Sequence, residues 1–226
     1  MTIREKAHLC ELMAGLFSPP ERGVIDEIRK GDVFSFLAKA MKSWGGDPAL
    51  LIGLQTSGSP EALDVELQGE YDRLFSGREE KSISLIESPH KPWTQDGECR
   101  LYFAREKGLL RGDSALHMAA IFRDSGVEVP QRFDACPDHL VMELEFLSAL
   151  YAEATDHEVR QFIQDHLDWV PQLKKEMMRL QPHPFYVSAV ELLDGFLDHE
   201  RDRLERIDHG EKSFHCVHIL SPIMMN

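Results

Sequence analysis

Apolar residues recur along this chain at the spacing of an α-helix in nearly every segment where they recur at all. The first such stretch runs from Thr2 to Phe17 and is stopped by Ser18-Pro19-Pro20. Further helices are predicted over 21–30, 32–43 and 48–55. The last of these is opened by Asp47 as cap, with Pro48 in a first turn that has no use for its missing N–H. Ser59-Pro60-Glu61 repeats the device and opens a longer helix to Phe75, whose apolar side is Leu63, Leu67, Tyr71 and Leu74. From Gly77 to Gln95 the pattern is irregular, with Pro89, Pro92 and Trp93 near its centre. Helices near 97–108 and 113–125 follow, then a connector from Gly126 through Pro130. Two long helical segments, 156–180 and 185–208, are separated by Gln181-Pro-His-Pro184, and Pro171 should kink or break the first of them.

The segment Cys136 to Tyr151 has the strongest pattern. Pro137 and Asp138 suit the first turn of a helix, where a missing N–H is harmless and a carboxylate meets the positive end of the dipole. Leu140, Leu144, Leu147 and Tyr151 then fall on one face, and His139 and Glu143 lie one turn apart beside it. No strand pair, internal repeat or low-complexity stretch interrupts the helices. The expected architecture is all-α, a single irregular bundle of roughly ten helices over 1–208 with a tail at 209–226.

Composition narrows the function classes. The net charge of −14, from 25 basic and 39 acidic residues, argues against a nucleic-acid binder, which needs a basic footprint, and suits a cationic partner. Cys10, Cys99, Cys136 and Cys216 are far apart and form no C-x-x-C pair, which fits a reducing compartment. Charges at Arg4, Glu5 and Lys6 stand where a signal peptide would be apolar, and no segment is apolar for long enough to cross a bilayer. A cytoplasmic location is expected.

Candidate chemistry is sparse. There is no G-x-S-x-G elbow and no phosphate-binding glycine loop, and the adjacent Asp138 and His139 point apart on a helix, which disfavours a relay between them. The chain reads as a non-enzyme. Eleven histidines justify a search for metal sites. Glu5…His8 and Glu87…His90 have the Glu-x-x-His spacing of di-iron bundles, but the second lies in a proline-rich loop, so no metal site is assigned there. His209, His215, Cys216 and His218 place borderline and soft ligands close together, and a metal-binding helical protein using that tail is the competing reading. The loop Ile86 to Trp93 combines charge, proline and an amphipathic indole, the ingredients of a recognition surface.

Several segments, in order, resemble the TorD/DmsD/NarJ family of redox-enzyme maturation chaperones. Glu70-Tyr71-Asp72-Arg73-Leu74-Phe75-Ser76-Gly77 is similar to that family's Tyr-x-x-Leu-Phe-x-Gly helix end, and Glu87-Ser88 to its Glu-Ser pair. Pro137-Asp138-His139-Leu140 with Glu143-Leu144-Glu145-Phe146 resembles its central signature. His166-Leu167-Asp168-Trp169-Val170-Pro171 and Pro184-Phe185-Tyr186 match two downstream landmarks. The set spans about residues 70 to 190 in the family's order.

The resemblance implies an all-helical cytoplasmic protein that binds the apo form of a molybdenum enzyme, often through its twin-arginine signal peptide, and delays export until molybdopterin is inserted. It implies no catalytic residues and no resident cofactor, with weak GTP binding or transient molybdopterin contact as the family's associations, and a monomer or a helix-swapped dimer. Carried over by position, Leu74, Phe75, Pro137, Asp138 and His139 match residues implicated in peptide binding. Glu87, Ser88, Glu143 and Trp93 join them as the acidic and aromatic parts of a groove for a basic, apolar peptide. In that picture Asp138 and His139 sit at the mouth of an apolar cleft walled by Leu74 and Phe75. The chain departs from the family around its Glu-Ser pair, with Ile86 before it and Pro89-His90 after it, and Trp93 is expected to replace the missing aromatic.

Overall fold

A computed structural model describes residues 1–21, 23, 31–55, 59–77 and 81–218, the side chains of Pro60 and of residues beyond 207 excepted. Eight α-helices are described: α1 (Ile3–Leu16), α2 (Asp32–Ser43), α3 (Pro60–Phe75), α4 (Asp113–Asp124), α5 (Leu140–Glu153), α6 (Asp156–His166), α7 (Val170–Arg179) and α8 (Pro184–His218). Three 3-10 turns, Pro48–Leu54, Ser88–His90 and Gln131–Phe133, lie between them. The predicted helix over 21–30 falls almost wholly outside the described residues, as do the side chains of His209, His215, Cys216 and His218. The backbone of α8 continues through 218, past the expected boundary at 208.

Local chemistry accounts for the helix starts. Thr2 and Thr155 each form a capping box, with Glu5 and Glu158 reaching back to the cap N–H. Asp47 accepts from the Ala49 N–H at 2.9 Å and Ser59 from the Ala62 N–H at 3.2 Å. The predicted 156–180 helix is broken at 167–169, and Pro171 sits in the first turn of α7.

The first half of α8 forms the centre of the core. Tyr186, Ala189, Val190, Leu193, Phe196 and Leu197 are buried at spacings of three and four. Helices α6 and α7 pack against it, and α1 lies along α5. The turn Pro48–Leu54 rests on the start of α8 so closely that a Cβ on Gly53 would collide with the Pro184 carbonyl oxygen. Glu200 on α8 is fully buried yet fully partnered: Lys6 Nζ and Tyr151 OH reach it at 2.8 and 2.9 Å, and Arg203 closes the set. That group ties α1 and α5 to α8.

Two sequence expectations are corrected. Residues 97–108 are not a helix but a series of turns. Trp93 and Thr94 donate backbone N–H groups to Glu106 and Ala104, and the Arg105 guanidinium donates to the carbonyls of Thr94 and Asp96 at 2.7 and 3.0 Å. These bonds fold the segment back on itself and outweigh its local helix propensity. Pro137 and Asp138 are likewise not in the first turn of α5. His139 is the cap, its Nδ1 accepting from the Val141 N–H at 3.2 Å, and Asp138 is committed elsewhere.

Candidate functional site

The only β-type pairing among the described residues joins Ile86 to His139. The Glu87 N–H donates to Asp138 O at 2.9 Å and the Leu140 N–H to Leu85 O at 2.8 Å. This pairing brings the irregular loop against the start of α5. The Asp138 side chain adds to it: the Ser88 backbone N–H donates to Asp138 Oδ2 at 2.8 Å, and the Ser88 hydroxyl donates to the same oxygen. Asp138 thus anchors the loop instead of its own helix.

Glu87, Asp138 and Glu143 have no exposed surface. Helix α6 delivers His166, whose Nδ1 lies 2.9 Å from Glu87 Oε2, while its Nε2 lies 2.8 Å from His117 Nδ1 on α4. The 3-10 turn brings Lys91 round to Glu87 Oε1 at 2.6 Å, and the same ammonium reaches Asp168 Oδ1 at 2.5 Å and the Asp165 carbonyl at 2.7 Å. The Trp169 indole N–H donates to the His166 carbonyl at 2.8 Å and to Glu143 Oε2 at 3.3 Å.

Environment divides the carboxylates. Burial, then the negative charge of Glu87 and a hydrogen bond to it, pushes Glu143 well above the ordinary carboxylate range. Burial acts to raise Glu87 as well, but the His166 hydrogen bond and charge, with Lys91 beside them, outweigh it and hold Glu87 low. Burial raises Asp138 despite the two bonds from Ser88. Burial and the nearby Arg132 guanidinium lower His139 to about 4, so its cap nitrogen stays free to accept.

The structure gathers Glu87, Ser88, Asp138 and Glu143 into one network and leaves the other named residues around it. Leu74 is buried at the end of α3 and linked to the loop, its carbonyl accepting from the Ile83 N–H at 2.7 Å. Phe75 is half-buried and meets Tyr186 edge-on at 5.6 Å. Pro137 is buried, and His139 is half-buried against Phe133 at 4.9 Å. Trp93 is half-buried too, but its ring packs on Phe103, at 5.0 Å, in the turn-rich segment. The acidic groups expected at a cleft mouth are thus interior.

Lys91, His117, His166 and Trp169 are the members of the network to which the sequence alone gives no role in the site. The Glu87…His90 spacing misdirects, because His90 turns to the Ser84 carbonyl and stacks on Trp169 at 4.7 Å. The true partner of Glu87 is 79 residues away.

The profile of the nitrate reductase delta subunit family matches residues 38–175, a span that contains the whole network. Chaperone protein TorD of Vibrio vulnificus (strain CMCP6) is 31% identical over 116 residues, which cover 46% of this chain and 54% of that protein. Chaperone protein TorD of Photobacterium profundum is 27% identical over 155 residues, 63% of this chain and 66% of its own length. The chain spans about half the length of the first of these curated relatives. A solved structure of an Archaeoglobus fulgidus protein assigned to redox enzyme maturation aligns with a TM-score of 0.47 and 23% identity, over 88% of this chain and 93% of that one.

Proposed function

The chain belongs to the nitrate reductase delta subunit family, and from that premise we propose that it is a non-catalytic cytoplasmic chaperone for the apo catalytic subunit of a molybdopterin-dependent oxidoreductase. The family match over 38–175 carries this reading, and the TorD chaperones similar to the chain support it. No described helix is long and apolar enough to cross a membrane.

Recognition is assigned to the client's twin-arginine signal peptide. A net charge of −14 attracts a basic peptide at long range. Contact falls to residues that keep some surface, Phe75, Trp93 and His139. Behind them Leu74, Pro137, Glu87, Ser88, Asp138 and Glu143 hold the loop and the start of α5 in place. In this division of labour the buried carboxylates shape the surface without touching the peptide.

The test is a pull-down from lysate of the native host with this chain as bait, read by mass spectrometry. Recovery of one molybdopterin-type catalytic subunit supports the proposal and identifies the client. Recovering none, under conditions where such enzymes are expressed, overturns it. Titration with the N-terminal peptide of the recovered subunit then tests the contact residues: Phe75→Ala and His139→Ala should each weaken binding at least fivefold while circular dichroism is unchanged.

A further inference from the structure

Glu87, Glu143 and His166 offer two carboxylate oxygens and an imidazole nitrogen that all lie within 4.8 Å of one another. Glu87 and Glu143 have no exposed surface and His166 keeps 2% of its own. Within this cluster no N–H reaches Glu143 Oε1, a fully buried oxygen. An orphaned oxygen beside a second carboxylate is costly unless a proton or a cation lies between them. We propose that these three residues form a buried site for a divalent transition-metal ion of the zinc class, held between the two glutamates.

The surrounding bonds leave the ligands free to turn to an ion. Lys91 touches Glu87 but also Asp168 and the Asp165 carbonyl, so it can release Glu87 and remain partnered. The Trp169 indole already makes its shorter bond to the His166 carbonyl, so freeing Glu143 strands no donor. His166 presents Nδ1 to the carboxylates while Nε2 meets His117, the arrangement by which an outer partner fixes the tautomer and orientation of a ligating imidazole. His117 and His166 also line a pocket of about 290 Å³ with Phe162 and Asp165, which brings solvent up to the outer partner of the imidazole.

Ligand chemistry selects the metal. Two carboxylates and one imidazole suit zinc and its neighbours, with water in a fourth position, whereas calcium and magnesium favour shells of six or more oxygens. Tetrahedral zinc sets its ligand atoms about 3.3 Å apart, so the 2.9 Å contact between Glu87 and His166 must open slightly to admit an ion. The bound ion would pin together the loop after α3, the first turn of α5 and the end of α6. This site is independent of the client proposed above.

The test uses the untagged full chain with His209, His215, Cys216 and His218 all changed to Ala, so that the tail cannot supply ligands. After incubation with zinc sulfate and gel filtration, mass spectrometry of the metal should find one zinc per chain, and zinc should raise the thermal midpoint. Glu143→Gln and His166→Gln should each cost at least a hundredfold in affinity, and His117→Ala about tenfold through the outer partner. Circular dichroism confirms that each variant is folded, and the near-isosteric Glu143→Gln serves if His166→Gln is not. Failure of the tail variant to retain zinc at saturating concentration overturns the proposal. So does undiminished affinity in folded Glu143→Gln.

Discussion

Ser88 and Asp138, fifty positions apart, are joined by two hydrogen bonds that end on a single carboxylate oxygen. Both residues are buried, and the other oxygen of Asp138 has no partner. Removing the acceptor would strand the Ser88 N–H and hydroxyl in the interior. Asp138→Ala should therefore cost about 2–4 kcal/mol, whereas Asp138→Asn, which keeps an acceptor, should cost about 1 kcal/mol. The midpoints of urea unfolding of the two variants measure the difference, and equal midpoints would contradict this account.

The position of Asp138 also shows what the sequence pattern carries and what it does not. Leu140, Leu144, Leu147 and Tyr151 lie on the buried face their spacing predicts, and the caps at Asp47 and Ser59 form as their residue types require. These are local effects. The bond from Asp138 to Ser88 and the pairing of Glu87 with His166 are tertiary and have no periodicity. Segment 97–108 fails as a helix for the same reason, since Arg105 is held by carbonyls of a preceding turn. The family motifs point to most of the network members, but not to the burial of their carboxylates.

Glu143 binds a proton more tightly in the folded protein than in the unfolded chain. A raised carboxyl contributes stability that is fully present below the unfolded value, near 4.5, and is lost as pH rises through the folded one. Glu143→Gln keeps the shape of the side chain and removes the titration. Its stability should match the parent's below pH 4.5 and exceed it increasingly as pH rises above that value. Unfolding midpoints across that range, in buffer freed of metal by a chelator, decide the matter; parallel curves would rule it out.

His139 behaves in the opposite way. Its imidazole falls from the usual 6.5 to about 4 on folding, so the unfolded chain takes up the proton first. The stability it contributes is present above 6.5 and is lost as pH falls toward 4. His139→Asn supplies a cap that cannot titrate. The variant should lose less stability than the parent between those two pH values, as read by chemical denaturation at each pH.

Gly53 is required for its lack of a Cβ, which would collide with the Pro184 carbonyl oxygen and stand 2.7 Å from Ser188 Oγ. Backbone cannot yield there without separating the 3-10 turn from α8. Gly53→Ala should cost about 3 kcal/mol or more, with the loss visible in the thermal midpoint. Gly69, which has nothing within 4 Å of a built Cβ, is the control. Gly69→Ala, within α3, should be neutral or stabilising.

The Ile86–His139 pairing closes a ring of about fifty residues that includes all of α4. Closing a loop of that length costs about 3–4 kcal/mol of chain entropy before any contact repays it. During synthesis Glu87 emerges long before α6, so its imidazole partner arrives late. Such a network is unsuited to nucleating folding and is expected to form after the transition state. Substitutions within it should then mainly hasten unfolding and leave the refolding rate nearly unchanged, which makes the ring a determinant of how long the folded chain persists once it has formed.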